Sequence, residues 1–447
     1  MAEQRPGILQ IYREIIHEPL TAYQRIGHRD SFRLNRFFFA HVANVTAPDI
    51  IRHVLVTNAK NYRKTPIGRA LLEPILGRGL LTSEGSFWRR QRRIAAPAFH
   101  HKRIATFADM MVELTLEMLA EWQGRSAADD PLDIQSEMSR VTMKIITRTM
   151  FSDHLDDEEA RGVRDAIKDL NRHRLRLRDF IGLPEWLPRI PDRHVRAAVR
   201  TIDRTVNRLI AERRADSTDH GDLLSMLMLA EDEETGERMS DRQLRDEVMT
   251  MFVAGHETTA TALTWTFYAL DRHPGVADRL FAELDAALSG AAPMLADLDR
   301  LPYSRMVIEE TMRLYPTVAQ IARQAVGDDE IDGVHVPKGS IINMNIWLTH
   351  RDPNIWTDPE TFDPERFDPK CAQNRPKLSY YPFGGGPRIC IGNNFSLMEA
   401  QLILVTVARA WRLRLVDGYT VHPIGNIVLR PRGGLPMHVE ARGPATG

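Results

Sequence analysis

The spacing of apolar residues along the chain predicts a largely helical protein. In several segments apolar side chains recur at intervals of three and four residues, the period of an α-helix with one buried face. These segments are Met138–Phe151, Val195–Arg214 and Asn394–Trp411. The longest pattern runs from Ser240 to Arg272, opens with Ser240 and Gln243 at capping-box spacing, and ends before a His-Pro-Gly sequence. A helix of this length is expected to cross the core.

Strand patterns are few, which predicts a mainly α fold with a small amount of β-structure. The candidate strands are Ser31–Leu34, Val42–Val45 and Gly333–Asn345. A stretch rich in Pro, Asp and Gly, Arg351–Arg388, predicts a long ordered loop. Because no repeat or composition shift marks a boundary, we expect one domain over residues 1–447, with 1–20 as a lead and 441–447 as a frayed tail.

Charge and composition exclude several classes of function. The chain carries 59 Lys and Arg against 60 Asp and Glu, so no overall field favours nucleic acid or an anionic membrane. No apolar run approaches the roughly 18 residues of a membrane span, and charges interrupt the first 20 residues, which predicts a soluble cytoplasmic protein. The two cysteines, Cys371 and Cys390, cannot build a disulfide framework or a four-cysteine zinc site, and they favour a reducing compartment.

The most informative segment is the glycine-rich stretch from Phe383 to Gly392, which contains Cys390. Its three consecutive glycines permit a tight turn with the backbone close to a bulky group. Cys390 lies just before the predicted helix that starts at Asn394, where the free N–H groups and the partial positive charge of a helix N-terminus favour a thiolate. From the residues alone, metal ligation, nucleophilic chemistry and an inert buried cysteine all remain open.

The segment resembles the cysteine loop of the cytochrome P-450 family, the heme-thiolate monooxygenases. Every fixed position of the family's loop is matched, by Phe383, Gly386, Arg388, Cys390 and Gly392. The resemblance implies that Cys390 is the axial iron ligand of heme b, which favours O–O cleavage. It also implies that Phe383 packs near the ligand, that Arg388 meets a heme propionate, and that the fold is a single triangular, mostly helical domain with a small β-rich corner.

A second motif, Ala-Gly-His-Glu-Thr-Thr, starts at Ala254 inside the longest predicted helix. Glycine in a helix interior costs about 1 kcal/mol relative to alanine, and such places often serve a function, although a packed core helix is the alternative. The resemblance implies that Gly255 gives dioxygen room, that Thr258 hydrogen-bonds the oxygen, and that Glu257 relays protons. A zinc reading of His256-Glu257 fails, because Ala260 stands where the second histidine is required.

Further matches occur in family order along nearly the whole chain. Trp88 and Arg92 match the family's Trp-x-x-x-Arg, and with Arg323 they are implied to bind heme propionates. Glu310 and Arg313 match the Glu-x-x-Arg helix, and Arg366 is the implied third member of a structural network. On the residues alone, Glu310 and Arg313 are a common surface spacing, three apart on one helix face.

The resemblance also predicts an apolar substrate pocket. By position its lining comes from Thr65–Leu80, Asp179–Ile190, Met249–Ala254, Thr317–Gln320 and Ile424–Val428. These segments contain Ile67, Leu71, Leu72, Ile75, Leu76, Phe180, Ile181, Leu183, Met251, Phe252, Val253, Val318, Ile424 and Ile427. A medium or large hydrophobic substrate such as a fatty acid, terpenoid or steroid is expected.

Electrons are expected to come from a separate protein, because the sequence has no flavin or iron–sulfur segment. The predicted donor is a ferredoxin or flavodoxin with its NAD(P)H-dependent reductase. It would be steered to a basic face formed by Arg89, Arg90, Arg93, Lys102 and Arg103. The alternatives to a monooxygenase are a heme-thiolate peroxygenase, a heme-based sensor, and a hydrolase with Cys390 as nucleophile. A monomer is the default expectation.

Overall fold

Helices dominate the computed structural model, which describes residues 32–37, 40–125, 130–152, 157–171, 193–216, 218–288, 292–425 and 428–442. The predicted mainly α class is confirmed. The helices are α1 (Pro48–Arg52), α2 (Pro66–Leu76), α3 (Gly85–Ala95), α4 (His101–Ile104), α5 (Ala108–Ala120), α6 (Ile134–Phe151), α7 (Asp157–Asn171), α8 (Arg193–Asp216), α9 (Leu223–Leu229), α10 (Asp241–Arg272), α11 (Pro274–Ala287), α12 (Pro302–Leu314), α13 (Ile346–Thr349), α14 (Pro369–Ala372) and α15 (Asn393–Ala410). Within the described residues, no helix is both long enough and apolar enough to cross a membrane.

Among the described residues the strands are short and form four sheets. They are β1 (Asn35–Phe37), β2 (Ala40–Val45), β3 (Tyr62–Arg63), β4 (Leu132–Asp133), β5 (Gln320–Ala325), β6 (Asp329–Ile331), β7 (Val334–Val336), β8 (Ile341–Asn345), β9 (Trp411–Leu415), β10 (Pro423–Gly425), β11 (Leu429–Pro431) and β12 (Pro436–Ala441). The strand predicted over Gly333–Asn345 is two strands, β7 and β8, separated by a turn. The strand predicted over Ser31–Leu34 is wrong for 32–34, and Ser31 lies outside the described residues.

The long helix α10 begins as its sequence predicts. The Ser240 backbone N–H donates to Gln243 Oε1 at 2.7 Å, and the Gln243 N–H donates to Ser240 Oγ at 3.3 Å, so the capping box is confirmed. The helix then continues for 32 residues without a break. The predicted end of α15 at Trp411 is wrong by one residue, because Trp411 is the first residue of β9 and pairs with Ala441.

The described chain separates into two compact units. The first contains the described residues of Met1–Arg63, Ala108–Val141 and Thr258–Gly447, and the second contains those of Lys64–Phe107 and Thr142–Glu257. The boundary therefore falls inside α6 and inside α10. The single domain over residues 1–447 stays a prediction; its lead, residues 1–20, and residues 443–447 of its tail lie outside the described residues.

The first unit holds a five-stranded sheet in the order β1-β2-β8-β5-β3. Strands β2 and β8 run parallel, and the other neighbours are antiparallel. Ile51, Val54, Ile342 and Met344 pack with Tyr381 in one buried apolar cluster. Since Tyr381 lies two residues before Phe383, this core fixes the start of the glycine-rich stretch.

The second unit is built from helices. Its clearest pair is α7 against α8, which Arg208 ties to Glu159 with Nε–Oε1 and Nη2–Oε2 hydrogen bonds. Apolar side chains of α8 at three- and four-residue spacing are buried, as their pattern predicts. Helix α3 and the α2–α3 connection also belong to this unit.

Candidate active site

The cysteine loop is closed by its own backbone. The Cys390 N–H donates to the Phe383 carbonyl at 3.0 Å, and the Ile389 N–H donates to the Gly386 carbonyl at 3.1 Å. Three residues later α15 begins, with Gly392 at its N-cap. The Cys390 side chain is exposed. The neighbouring Ile389 is also 37% exposed.

Glycine is required in this loop by close packing. Gly386 has a φ of +65°, and a Cβ placed there would lie 1.8 Å from the Leu55 carbonyl oxygen. Gly384 has a φ of +73°, a left-handed conformation that side chains with a Cβ rarely adopt. The loop is therefore held against the Leu55 segment of its own unit, and its shape depends on the glycines that the sequence provides.

The structure brings Glu310, Arg313 and Arg366 together. Arg313 and Glu310 are fully buried on α12 and pair through Nε–Oε2 at 2.6 Å and Nη2–Oε1 at 2.8 Å. Arg366 Nε lies 3.5 Å from Glu310 Oε1, an ion-pair distance. The remaining Arg313 donors reach the carbonyls of His350, Pro359 and Thr361 at 2.7–2.9 Å.

This network joins α12 to the loop region that precedes Cys390. Burial raises the pKa of Glu310, and the hydrogen bond with Arg313 opposes that rise. Its Oε1 also accepts the Asp363 N–H at 2.7 Å. The buried charges of Glu310 and Arg313 compensate each other and are further stabilised by hydrogen bonds. Removing one partner would therefore leave an uncompensated buried charge and destabilise the protein.

The α15 helix also contacts the C-terminal half of α10, which the sequence did not reveal. Thr259 Oγ1 lies 3.0 Å from Ser396 Oγ. Glu399 is buried one turn further along α15, and this burial raises the pKa of its carboxyl to about 8. The residue next to Thr258 is thus tied to the helix that follows Cys390.

The Ala254–Thr259 motif lies in unbroken helix. Ala254 is exposed, and Gly255, Glu257 and Thr258 are half-buried, within a helix that is otherwise largely buried. A Cβ at Gly255 would lie 3.0 Å from Ile146 Cδ1, so the glycine also allows close helix packing.

His256 is a core histidine in this structure. Its ring is buried, and Nδ1 lies 3.0 Å from the Phe252 carbonyl oxygen. Burial lowers the pKa of His256 to about 4, so the ring is neutral at physiological pH.

In the second unit, α3 presents Trp88 and Arg92 one turn apart. Trp88 is buried, Arg92 is half-buried, and the Arg92 guanidinium lies 6.0 Å from the centre of the Trp88 ring. Gln91 shares this face and is fully buried, and neither of its side-chain amide atoms meets a hydrogen-bond partner among the described residues. An amide buried in this way suits a site for a polar group that is not part of the protein.

The other predicted heme contacts lie in the first unit. Arg323 is half-buried on β5, and its Nη1 donates to the Ala322 carbonyl at 3.0 Å. Phe383, Arg388 and Gly392 are half-buried around the cysteine loop.

The predicted basic docking face is smaller than the sequence suggests. Arg93 donates to both carboxylate oxygens of the buried Asp232, at 2.9 and 3.0 Å, and it lowers the pKa of Asp232 to about 2. Arg90 pairs with Glu237. Both arginines are therefore already neutralised within their own unit, while Arg89, Lys102 and Arg103 are exposed.

The predicted pocket segments are only partly within the described residues. Asp179–Ile190, which holds Phe180, Ile181 and Leu183, lies outside them, as does Ile427. Leu76, Met251 and Phe252 are buried, and Ile67, Leu72, Ile75, Val253, Val318 and Ile424 are half-buried. The backbone of Leu71 lies in α2.

The donor set fits a heme with a thiolate ligand. Cys390 offers a soft, accessible sulfur ligand, and the exposed Ile389 beside it is an apolar neighbour suited to a porphyrin face. Within the described residues, no group of three His, Cys, Asp or Glu side chains could hold a metal ion by itself.

Comparisons with known proteins agree with this chemistry. A sequence model described as Cytochrome P450 matches residues 8–435. The chain is 37% identical to cyclooctatin synthase of Streptomyces melanosporofaciens, over 84% of this chain and 81% of that protein. It is also 37% identical to cyclooctat-9-en-7-ol 5-monooxygenase of the same organism, over 88% of this chain and 85% of that protein.

A solved structure shares the fold. The crystal structure of the cytochrome P450DA heme domain aligns with a TM-score of 0.86 and 25% identity, over 98% of this chain and 96% of that one. Heme with a cysteine thiolate as axial ligand is the cofactor that this family implies. The chain belongs to the cytochrome P-450 family.

Proposed function

We propose that this protein is a monooxygenase that inserts one oxygen atom of dioxygen into a medium or large hydrophobic substrate, with electrons from a separate redox protein. The observation that carries the proposal is the exposed Cys390 thiol, held in a backbone-closed glycine loop directly before α15. Membership of the cytochrome P-450 family supports the reaction class.

Each proposed site residue has a separate task. Bound heme supplies the oxidation chemistry, and Cys390 would be its axial ligand. Arg388, Arg323, Trp88 and Arg92 would hold the propionates, and the buried network of Glu310, Arg313 and Arg366 would hold the polypeptide that leads to the cysteine loop.

Glu257 and Thr258 are proposed to deliver protons. Both are half-buried on α10. A carboxylate beside a hydroxyl provides a proton path that O–O cleavage requires. Thr258 Oγ1 would hydrogen-bond the oxygen, and Gly255 would give it room.

Among the substrate classes that the apolar segments allow, we favour a terpenoid. The two relatives at 37% identity are named for cyclooctatin and for cyclooctat-9-en-7-ol, and the second compound is a cyclic alkenol. Fatty acids and steroids are the other classes compatible with buried and half-buried apolar side chains such as Leu76, Met251 and Ile424.

Replacing Thr258 by alanine is expected to uncouple the reaction. Without the hydroxyl, proton delivery for O–O cleavage is impaired. NADH consumption should therefore continue, while peroxide formation rises and product formation falls several-fold. The measurement compares NADH consumed, peroxide formed and product formed under saturating substrate. Thr266→Ala is the matched control, because its hydroxyl donates to the Ala262 carbonyl at 2.8 Å inside the same helix. Unchanged coupling in Thr258→Ala would remove Thr258 from proton delivery.

Electron transfer from an acidic ferredoxin or flavodoxin is expected to slow as salt is added. The exposed Arg89, Lys102 and Arg103 would steer the donor, and salt screens such attraction at separations beyond a Debye length, which is about 8 Å at physiological ionic strength. Stopped-flow reduction of the holoprotein at increasing ionic strength measures this. The triple variant R89Q/K102Q/R103Q should lose most of the salt dependence. A flat response in the unmodified protein contradicts this docking surface.

A further inference from the structure

The connection between α2 and α3 is attached to α10 through two adjacent carboxyl groups. The Arg78 backbone N–H donates to Asp246 Oδ2 at 2.8 Å, and the Leu80 N–H donates to Glu247 Oε2 at 2.9 Å. The segment Gly77–Ser83 is closed on itself by Thr82, whose Oγ1 donates to the Gly77 carbonyl at 2.6 Å. It is therefore a compact turn with two external anchors, both on one helix.

Two glycines let this turn approach the helix. A Cβ at Gly77, which has a φ of +61°, would lie 2.0 Å from Asp246 Oδ1. A Cβ at Gly79 would lie 2.1 Å from Thr250 Oγ1 and 2.6 Å from the Asp246 carbonyl oxygen. Such close contact leaves no room for a side chain, so the attachment is specific to this sequence.

The two carboxyl groups differ in their surroundings. Asp246 Oδ1 pairs with Arg245 Nη1 at 2.9 Å, and Arg245 in turn pairs with Asp203 of α8. Glu247 is 1% exposed, and its Oε1 meets no hydrogen-bond partner among the described residues. Burial, with the nearby negative charge of Asp246, raises the pKa of Glu247 to about 8, and the hydrogen bond from Leu80 opposes this.

We propose that Asp246 and Glu247 are positioning residues for the segment Gly77–Ser83, and that detachment of this segment from the two carboxyl groups admits and releases the substrate. This inference rests on the proposed function, because the segment overlaps the predicted pocket lining Thr65–Leu80. Glu247 is the anchor that makes detachment sensitive to pH. Its carboxyl accepts the Leu80 N–H while it is buried and protonated.

The direction of the pH effect follows from proton linkage. The attached state binds the Glu247 proton more tightly than a detached state, in which the carboxyl returns to the pKa of about 4.5 expected in water. Detachment therefore releases a proton, and its equilibrium constant rises by up to about tenfold per pH unit between these two pKa values. Below this window the attached state keeps its full stability, and above pH 8 no further loss occurs.

The other charged groups near Glu247 have partners of their own. On its own helix Asp246 is paired with Arg245, and Arg245 is paired with Asp203 from α8. The segment Gly77–Ser83 contacts Glu247 through the Leu80 N–H, which carries no charge. The Arg78 guanidinium instead lies over the Phe87 ring, 4.9 Å from its centre. The pH response is therefore assigned to Glu247.

Limited trypsin digestion of the heme-loaded protein tests the proposal, because Arg78 is an exposed cleavage site inside the segment. Cleavage after Arg78 is measured at pH 6.5 and pH 8.0, each rate divided by that of trypsin on a small peptide. We expect the unmodified protein to be cut about tenfold faster at the higher pH. Glu247→Gln keeps an uncharged acceptor for Leu80, so its rate should not change with pH.

The matched control is Glu212→Gln, the same change at an exposed position on α8, which should keep the tenfold response. Gly79→Ala forces the segment off the helix while both carboxyl groups remain, so it should be cut rapidly at both pH values. An equal pH response in Glu247→Gln and the unmodified protein overturns the assignment.

The access role is tested by the binding rate of 1-phenylimidazole, followed by the heme spectrum of the same proteins. In the unmodified protein this binding rate should rise with pH in parallel with the cleavage rate. In Glu247→Gln the binding rate should not change with pH. If cleavage follows pH but the binding rate does not, the access role is wrong. Neither readout requires turnover, so failure of the monooxygenase assignment would instead be seen as absent product with both responses intact.

Discussion

Replacing Arg313 by leucine is expected to destabilise the protein by about 3–5 kcal/mol, because it leaves the Glu310 carboxyl buried without its partner. Arg313 is fully buried and makes five hydrogen bonds, two to Glu310 and three to backbone carbonyls. Those carbonyls, on His350, Pro359 and Thr361, belong to the polypeptide that leads to the cysteine loop. Heme retention should therefore fall together with stability, measured by thermal unfolding and by heme content.

A matched control lies on the same helix. Arg305 and Glu309 are also an Arg–Glu pair one turn apart, with Arg305 40% exposed, and Arg305→Leu should cost no more than about 1 kcal/mol. The double variant Glu310→Leu/Arg313→Met removes both buried charges and should be more stable than Arg313→Leu alone. If Arg305→Leu and Arg313→Leu have equal effects, the buried network does not hold the structure together.

Replacing Cys390 by alanine is expected to abolish substrate oxidation while leaving the polypeptide folded. The side chain is exposed, so its loss removes little packing, and the unfolding free energy of the heme-free protein should change by less than about 1 kcal/mol. Product formation should fall to background because the thiolate that promotes O–O cleavage is gone. Cys371→Ala is the matched control, since Cys371 is the other exposed cysteine and lies on the short helix α14. Equal activity losses in the two variants would contradict the assignment of Cys390.

Local sequence signals predicted the elements that depend on nearby residues. The capping box at Ser240 and the apolar period of α8 gave element ends within two residues, because capping and amphipathic burial are set within a few turns of chain. Trp411 was assigned to the wrong element, because its pairing with Ala441 lies far away in sequence. The three-residue spacing of Glu310 and Arg313 indicated a pair, but not that both are buried.

Features that depend on packing between distant segments could not be predicted. Nothing near Arg93 indicates that Asp232 neutralises it, so the predicted docking face included a paired arginine. Glu399 looks like an ordinary helix residue until its burial beside Thr259 is known. For Glu247 the sequence did contain a usable signal. It precedes Thr258 by three helical turns and so lies on the same helix face, in a stretch otherwise rich in apolar residues.

The central claim is that Cys390 holds a heme iron through its thiolate, and the absorbance spectrum of the reduced protein under carbon monoxide tests it most directly. The account predicts a strongly red-shifted Soret band in the unmodified protein and in Cys371→Ala, and its absence in Cys390→Ala. A red-shifted band that survives in Cys390→Ala, or fully heme-loaded unmodified protein without it, would contradict the claim.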